Sequence, residues 1–86
     1  MYAIIFKKIA SKELAHIPHK IAKNILKHIY ALENNPRPMG CLKLEGSDEN
    51  LWRIRIGDYR VIYTIDDGIK IINIRRVRHR KDVYGV

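Results

Sequence analysis

No stretch constrains the fold of this 86-residue chain more than LWRIRIGDYRVIYTIDDGIKIINIRRV, residues 51–77. Apolar and polar residues alternate along most of it, the two-residue period of strands that bury one face. Two pairs punctuate the alternation, Gly57-Asp58 and Asp67-Gly68, both suited to two-residue hairpin loops. The stretch therefore reads as a three-stranded antiparallel meander. With Gly57-Asp58 as the loop, Ile56 faces Tyr59, Arg55 faces Arg60, Ile54 faces Val61 and Trp52 faces Tyr63. One surface then carries Trp52, Ile54, Ile56, Tyr59, Val61, Tyr63 and Ile65, and the other carries Arg53, Arg55 and Arg60. A second loop at Asp67-Gly68 pairs Val61 with Ile74 and Arg60 with Arg75, continuing both surfaces into the last strand.

The apolar surface of the meander needs a cover, and the first half of the chain supplies it. YAIIF, residues 2–6, reads as a short buried strand, and KKIASKELAHI has helical spacing with Ile9, Leu14 and Ile17 near one face. Pro18 suits the first turn of a second helix, which runs from about 18 to 34 with the stripe Ile21, Ile25, Ile29 and Leu32. Lys20, Lys23 and Lys27 lie on another face of that helix, most simply its solvated side. The cluster NNPRPMG then ends the helical half. In CLKLEG, Leu42 and Leu44 alternate with Lys43, so Lys43 joins the basic surface. The expected fold is α+β: an N-terminal strand, a two-helix hairpin, then an antiparallel meander sheet. No repeat, low-complexity run or linker divides it, so residues 1–86 are expected to form one domain.

Composition narrows the partners. A domain of this size buries only about 60% of the surface its unfolded chain exposes, so a stabilising partner is in keeping with it. Seventeen Lys and Arg against nine Asp and Glu give a net charge of +8, a field that attracts polyanions and acidic proteins. Cys41 is the only cysteine, which rules out an internal disulfide or a thiolate metal cluster. His16, His19 and His28 straddle the break at Pro18 with no thiolate and few acidic neighbours, so no metal or other cofactor is expected. The opening MYAIIFKKIA is too short for a secretory signal and no apolar run reaches about 18 residues, so a cytoplasmic protein with no membrane partner is expected.

The end of the chain concentrates the charge, with five Arg and Lys between positions 75 and 81. After Ile72 and Ile74 the next apolar residue is Val77, which breaks the two-residue period and calls for a β-bulge near Arg75 or Arg76. The bulge moves Arg78 and Arg80 toward the basic surface and His79 toward the other. Charged strand faces are usually just solvated, and like charges directly opposite one another destabilise a sheet. Only Asp58 and Asp82 lie nearby in sequence, too few carboxylates to neutralise the arginines. Guanidinium groups match phosphate oxygens with paired donors, so a phosphodiester backbone is the natural occupant.

NNPRP, LKLEG, LWRIRIGDYRVIY and VRHRKDVY together resemble the RelE-like toxins of the RelE/ParE superfamily across nearly the whole chain. The resemblance implies two helices against an antiparallel sheet, and an endoribonuclease that cuts messenger RNA in the ribosomal A site. It also implies a co-produced, RelB-like acidic antitoxin that wraps and silences the toxin. By motif, Arg60 and Arg80 match arginines that bind and stabilise the scissile phosphate, and Tyr84 matches a functional C-terminal tyrosine. Arg53, Arg55 and His79 fall where the best known RelE enzyme has lysines, and the interval to Tyr84 is two residues shorter here. Arg55 and His79 are thereby added to the catalytic candidates, and Lys43, Arg53, Arg75 and Arg78 are expected to contact RNA.

Metal-free cleavage requires an activated ribose 2′-OH, a stabilised phosphorane and a protonated leaving oxygen. Arginine stays protonated, so Arg53, Arg55, Arg60 and Arg80 are clamps for charge. Neighbouring cations favour a tyrosine's phenolate, which makes Tyr84 a candidate general base, with base stacking as the alternative role. His79 is the one side chain of the tail that titrates near neutrality. Two other readings remain open at this level: a gyrase inhibitor of the ParE kind, and a module that binds RNA without cutting it.

Overall fold

A computed structural model describes residues 1–46 and 49–84, with side chains as far as Asp82. Five strands form one sheet: β1 (Ala3–Phe6), β2 (Leu42–Lys43), β3 (Leu51–Ile56), β4 (Tyr59–Asp66) and β5 (Ile71–His79). Their spatial order is β1-β5-β4-β3-β2, with β1 parallel to β5 and every other neighbour antiparallel. Helices α1 (Lys8–Ala15) and α2 (His19–Ala31) follow β1, and a short α3 (Arg80–Tyr84) follows β5. Among the described residues no helix is long and apolar enough to cross a membrane.

The first hairpin has the register the alternation predicts: Ile56 opposite Tyr59, Arg55 opposite Arg60, Ile54 opposite Val61 and Trp52 opposite Tyr63. Gly57 at the first loop position has a φ of 60°, the left-handed value that a II′ turn demands there. The second hairpin departs from the predicted two-residue loop. Its strands close at Asp66 opposite Ile71, leaving residues 67–70 in the turn, with Lys70 at a φ of 59°. The cause is local. The Asp66 carboxylate accepts hydrogen bonds from the backbone N–H of Gly68 (3.0 Å) and of Ile69 (3.1 Å), withdrawing both from the ladder.

The longer turn slides β5 by two residues, which leaves Ile72 and Ile74 on the buried surface. Tyr63 then pairs with Ile74 and Ile62 with Arg76, so Arg75 is the extra residue of a bulge at the position the sequence suggests. Beyond it Val61 pairs with Val77 and Arg60 with Arg78, in place of the expected Arg60–Arg75 pair.

The core lies between this sheet and the helices. Ile54, Ile56, Val61, Tyr63, Ile65, Ile72, Ile74 and Val77 from the strands meet Ile25, Ile29 and Leu32 from the α2 segment and Ala10 from α1. Burying side chains of this size stabilises by about 1.5–3 kcal/mol each, and α2 supplies two that are fully buried. Ile21, expected in the stripe, is 41% exposed and stands outside the core. Pro18 precedes the first helical residue and its carbonyl accepts the Ala22 N–H, so it starts the second helix as expected.

The loop between α2 and β2 is fastened to the sheet. Fully buried Tyr63 donates its hydroxyl hydrogen to the Pro36 carbonyl at 2.7 Å, and burial pushes its phenol pKa well above the ordinary value. Arg37 makes a two-pronged contact with Asp67 and lies 5.0 Å from the Trp52 ring centre.

Candidate functional site

Strand pairing turns scattered arginines into rows on the surface facing away from the helices. Arg55, Arg60 and Arg78 are directly cross-strand neighbours on β3, β4 and β5. Arg53, Ile62 and Arg76 form the next row, with Arg75 in the bulge beside it. Directly opposed residues on adjacent strands have Cβ atoms about 5 Å apart, so three guanidinium stems share a very small area.

Arg60 stands at the centre and is 3% exposed, although no carboxylate among the described residues pairs with it. Its Nη1 donates to the Tyr59 carbonyl at 3.4 Å, and its buried Nε has no hydrogen-bond partner among the described residues. The ion pairs among the described residues are Arg37–Asp67, Arg75–Glu49 and Arg76–Glu13, so Arg53, Arg55, Arg60, Arg78 and Arg80 stand in none of them. A buried charge without a counter-ion is strongly unfavourable, and an anion delivered from outside removes that cost.

The neighbours of the row are held in place. Arg78 donates through Nη2 to the Asp82 carbonyl at 3.1 Å, joining β5 to α3. The Arg80 N–H donates to the Asp58 carbonyl at 2.7 Å, which pins the start of α3 to the β3–β4 turn, next to the Arg55–Arg60–Arg78 row. Arg80 itself is exposed. A groove of about 460 Å³ continues along this surface between Leu44, Leu51, Ile62, Arg75, Arg76 and Arg78. Arg75 is tied there to Glu49 at 2.8 Å, and this hydrogen bond lowers the Glu49 pKa.

Two expected members stand elsewhere. His79 lies opposite Tyr59 on the helix side, its ring edge-to-face with Tyr59 at 5.2 Å and its Nδ1 accepting the Lys81 N–H at 3.2 Å. The alternation that places Arg78 beside Arg60 necessarily sends His79 to the other surface. Lys43 is opposite Trp52 and shares its face, whereas Leu42 is opposite Arg53. The expected placement of Lys43 on the basic surface is therefore reversed: on this two-residue edge strand Cys41 packs toward the core and Leu44 lines the basic groove. Tyr84 is the last residue of α3, and its side chain lies outside the described residues.

One contributor has no signal in the strand pattern. Glu13 of α1 accepts three hydrogen bonds from the Arg76 guanidinium and one from the Val77 N–H. Its sequence mark is slight: it is the one acidic residue in KKIASKELAHI. Among the described residues no group of three or more His, Cys, Asp or Glu could hold a metal ion.

A two-helix layer lies on one face of the sheet, and on the other lies an arginine cluster whose row Arg55, Arg60 and Arg78 has no ion pair among the described residues. The family comparison gives this arrangement its identity: residues 4–84 match the model described as the ParE toxin of type II toxin–antitoxin systems, and the chain belongs to that family. Toxin RelE of Mycobacterium tuberculosis is 38% identical over 79 residues, covering 87% of this chain and 80% of that protein. The archaeal RelE–RelB complex from Pyrococcus horikoshii contains a chain superposing with a TM-score of 0.81 at 34% identity, covering 92% of this chain and 94% of that one. The RelB–RelE antitoxin–toxin complex from Methanococcus jannaschii gives 0.75 at 31% identity, covering 93% and 94%. The chain is thus a type II toxin with the α+β fold of the RelE structures.

Proposed function

We propose that this toxin is a ribosome-dependent endoribonuclease that cleaves messenger RNA in the A site. In this reading it acts in the cytoplasm as a single domain, residues 1–86, and is silenced by an acidic RelB-like antitoxin. The observation that carries the reading is Arg60, a buried guanidinium between two further arginines and without a counter-ion among the described residues. The RelE names of relatives and the antitoxin-bound solved structures support it.

Arg60 takes the scissile phosphate, with Arg55 and Arg78 flanking it and Arg80 at the adjoining helix start. As the ribose 2′-oxygen attacks, charge accumulates on the phosphorane, and donors already in position stabilise it with little reorganisation. Removing one such donor costs about 10²–10³ in rate. Arg53 and Arg75 hold the flanking backbone, which fixes the RNA in line for attack. Tyr84 is the assigned acceptor of the 2′-OH proton, on the family motif alone. As the 2′-oxygen bonds to phosphorus the P–O5′ bond breaks, and the leaving 5′-oxygen takes its proton from solvent water, because His79 and Lys43 lie on the opposite surface.

Primer extension on translating messenger tests the reading: wild-type protein cuts at A-site codons, Arg60→Ala does not, and Tyr84→Phe loses cleavage while retaining binding. Arrested growth with uncut messenger and trapped gyrase–DNA complexes would instead mean a gyrase inhibitor. Binding that Arg60→Ala weakens in a salt-dependent manner, without any cleavage by the wild type, would mean a passive RNA-binding module.

A further inference from the structure

β1 accompanies β5 only as far as Ile74, whose carbonyl accepts the Lys7 N–H at 2.9 Å. There the chain leaves the sheet to form α1. From Arg75 onward β5 has lost the neighbour on that side, just where the bulge has bent it and where Arg76, Arg78 and Arg80 follow one another. An unpaired, bulged strand end is a poor platform for side chains that must hold a reacting phosphate within a fraction of an ångström.

Glu13 replaces the missing strand. Its Oε1 accepts the Val77 N–H at 2.8 Å, the contact a neighbouring strand's carbonyl would make. The same carboxylate receives Arg76 Nε at 3.2 Å and Nη2 at 2.9 Å, and it is only 21% exposed. One side chain thus closes the free edge and draws Arg76 away from the row of Arg55, Arg60 and Arg78. Arg76 is correspondingly held in its charged form, its pKa raised by the hydrogen bond to Glu13.

We infer that Glu13 is a positioning residue for RNA cleavage: by capping Val77 and engaging Arg76 it fixes the post-bulge part of β5, and so sets Arg78 beside Arg60. This rests on the endoribonuclease reading. Glu13 touches neither the proposed phosphate position nor any reacting atom, so it acts on rate through β5 and adds nothing to RNA affinity.

The test is single-turnover cleavage of messenger on ribosomes by the full chain, read as rate constant, amplitude and half-saturating toxin concentration, together with amide hydrogen exchange of the free protein. Glu13→Ala should lower the saturating rate constant at least tenfold with unchanged amplitude and with half-saturation unchanged or lower, since a carboxylate has been removed. Adding Arg76→Ala to Glu13→Ala should cost less than twofold more. Glu13→Gln, which keeps an oxygen at the Val77 N–H, should recover to within about threefold of wild type, and Glu13→Asp, one methylene short, should not. Exchange at Val77 and Arg78 should accelerate at least tenfold in Glu13→Ala, with Ile72 and Ile74 unchanged. A wild-type rate constant in Glu13→Ala, a loss confined to amplitude, or unchanged exchange at Val77 overturns the inference. If wild-type protein leaves messenger uncut while Val77 exchange responds as stated, the endoribonuclease reading falls and the anchoring of β5 by Glu13 stands.

Discussion

Arg60 is placed against the interest of stability. At 3% exposure, with Nε unpartnered among the described residues and arginines on both sides, it sits where an apolar chain of similar length would fit without charge. Replacing buried charged groups by apolar residues of like volume is often neutral or stabilising by about 1–4 kcal/mol. Arg60→Met is therefore expected to raise the thermal midpoint, at about 4–8 °C for each kcal/mol gained in a domain of this size, while abolishing cleavage. A calorimetric scan beside a cleavage assay checks both halves; a lowered midpoint would mean that Arg60 has a stabilising partner in the folded chain. Arg60 was legible in the sequence as a member of the basic surface, through the alternation of DYRVIY. Its burial was not, because alternation assigns a residue to a face of the sheet and says nothing of what packs over it.

Among elements, the β3–β4 hairpin was fully legible and the β4–β5 hairpin only in part. Gly57-Asp58 permits one loop, and a slip of one residue there would turn Trp52, Ile54 and Ile56 to solvent. A slip of two residues exposes nothing, so the pattern of faces could not tell a two-residue loop at Asp67-Gly68 from the four-residue turn that the Asp66 carboxylate organises. Lys43 was misplaced for a related reason: an edge strand of two residues carries too little pattern to fix its parity. The turn that escaped prediction is also an acid-sensitive clamp. Asp67 accepts hydrogen bonds from Arg37 and from the Tyr2 hydroxyl, which hold its pKa down to about 2, against an ordinary value of 3.8. A carboxylate lowered on folding contributes stability that is fully present above about pH 4 and is lost as pH falls toward 2. Urea midpoints between pH 5 and 2 should drop less steeply for Asp67→Asn than for wild type. Equal slopes would show that the clamp adds nothing beyond its surface exposure.

For the molecule as a whole, a net charge of +8 is divided between two surfaces. Lys20, Lys23 and Lys27 are exposed on α2, away from the sheet, and the arginine rows occupy the sheet's outer face. An RNA backbone engaged by the rows releases counter-ions in proportion to the phosphates neutralised. Arg53→Ala should therefore reduce the slope of log affinity against log salt by about 1 and weaken binding evenly across sequences. An unchanged slope would place Arg53 outside the RNA path. The fold itself was readable at this scale from element order and charge. The site's outline was readable from the arginines, and its internal support was not, because Glu13 lies 63 positions from Arg76 and only tertiary packing brings them together.

In the proposed function the arginine row stabilises attack by a ribose 2′-oxygen on the messenger's own phosphate. The ends of the cleaved message report on this most directly. Wild-type protein acting on translating ribosomes should leave a 2′,3′-cyclic phosphate on the upstream fragment and a 5′-hydroxyl on the downstream one, and Arg60→Ala should leave the message intact. A 5′-phosphate on the downstream fragment would mean attack by water, and would contradict the account.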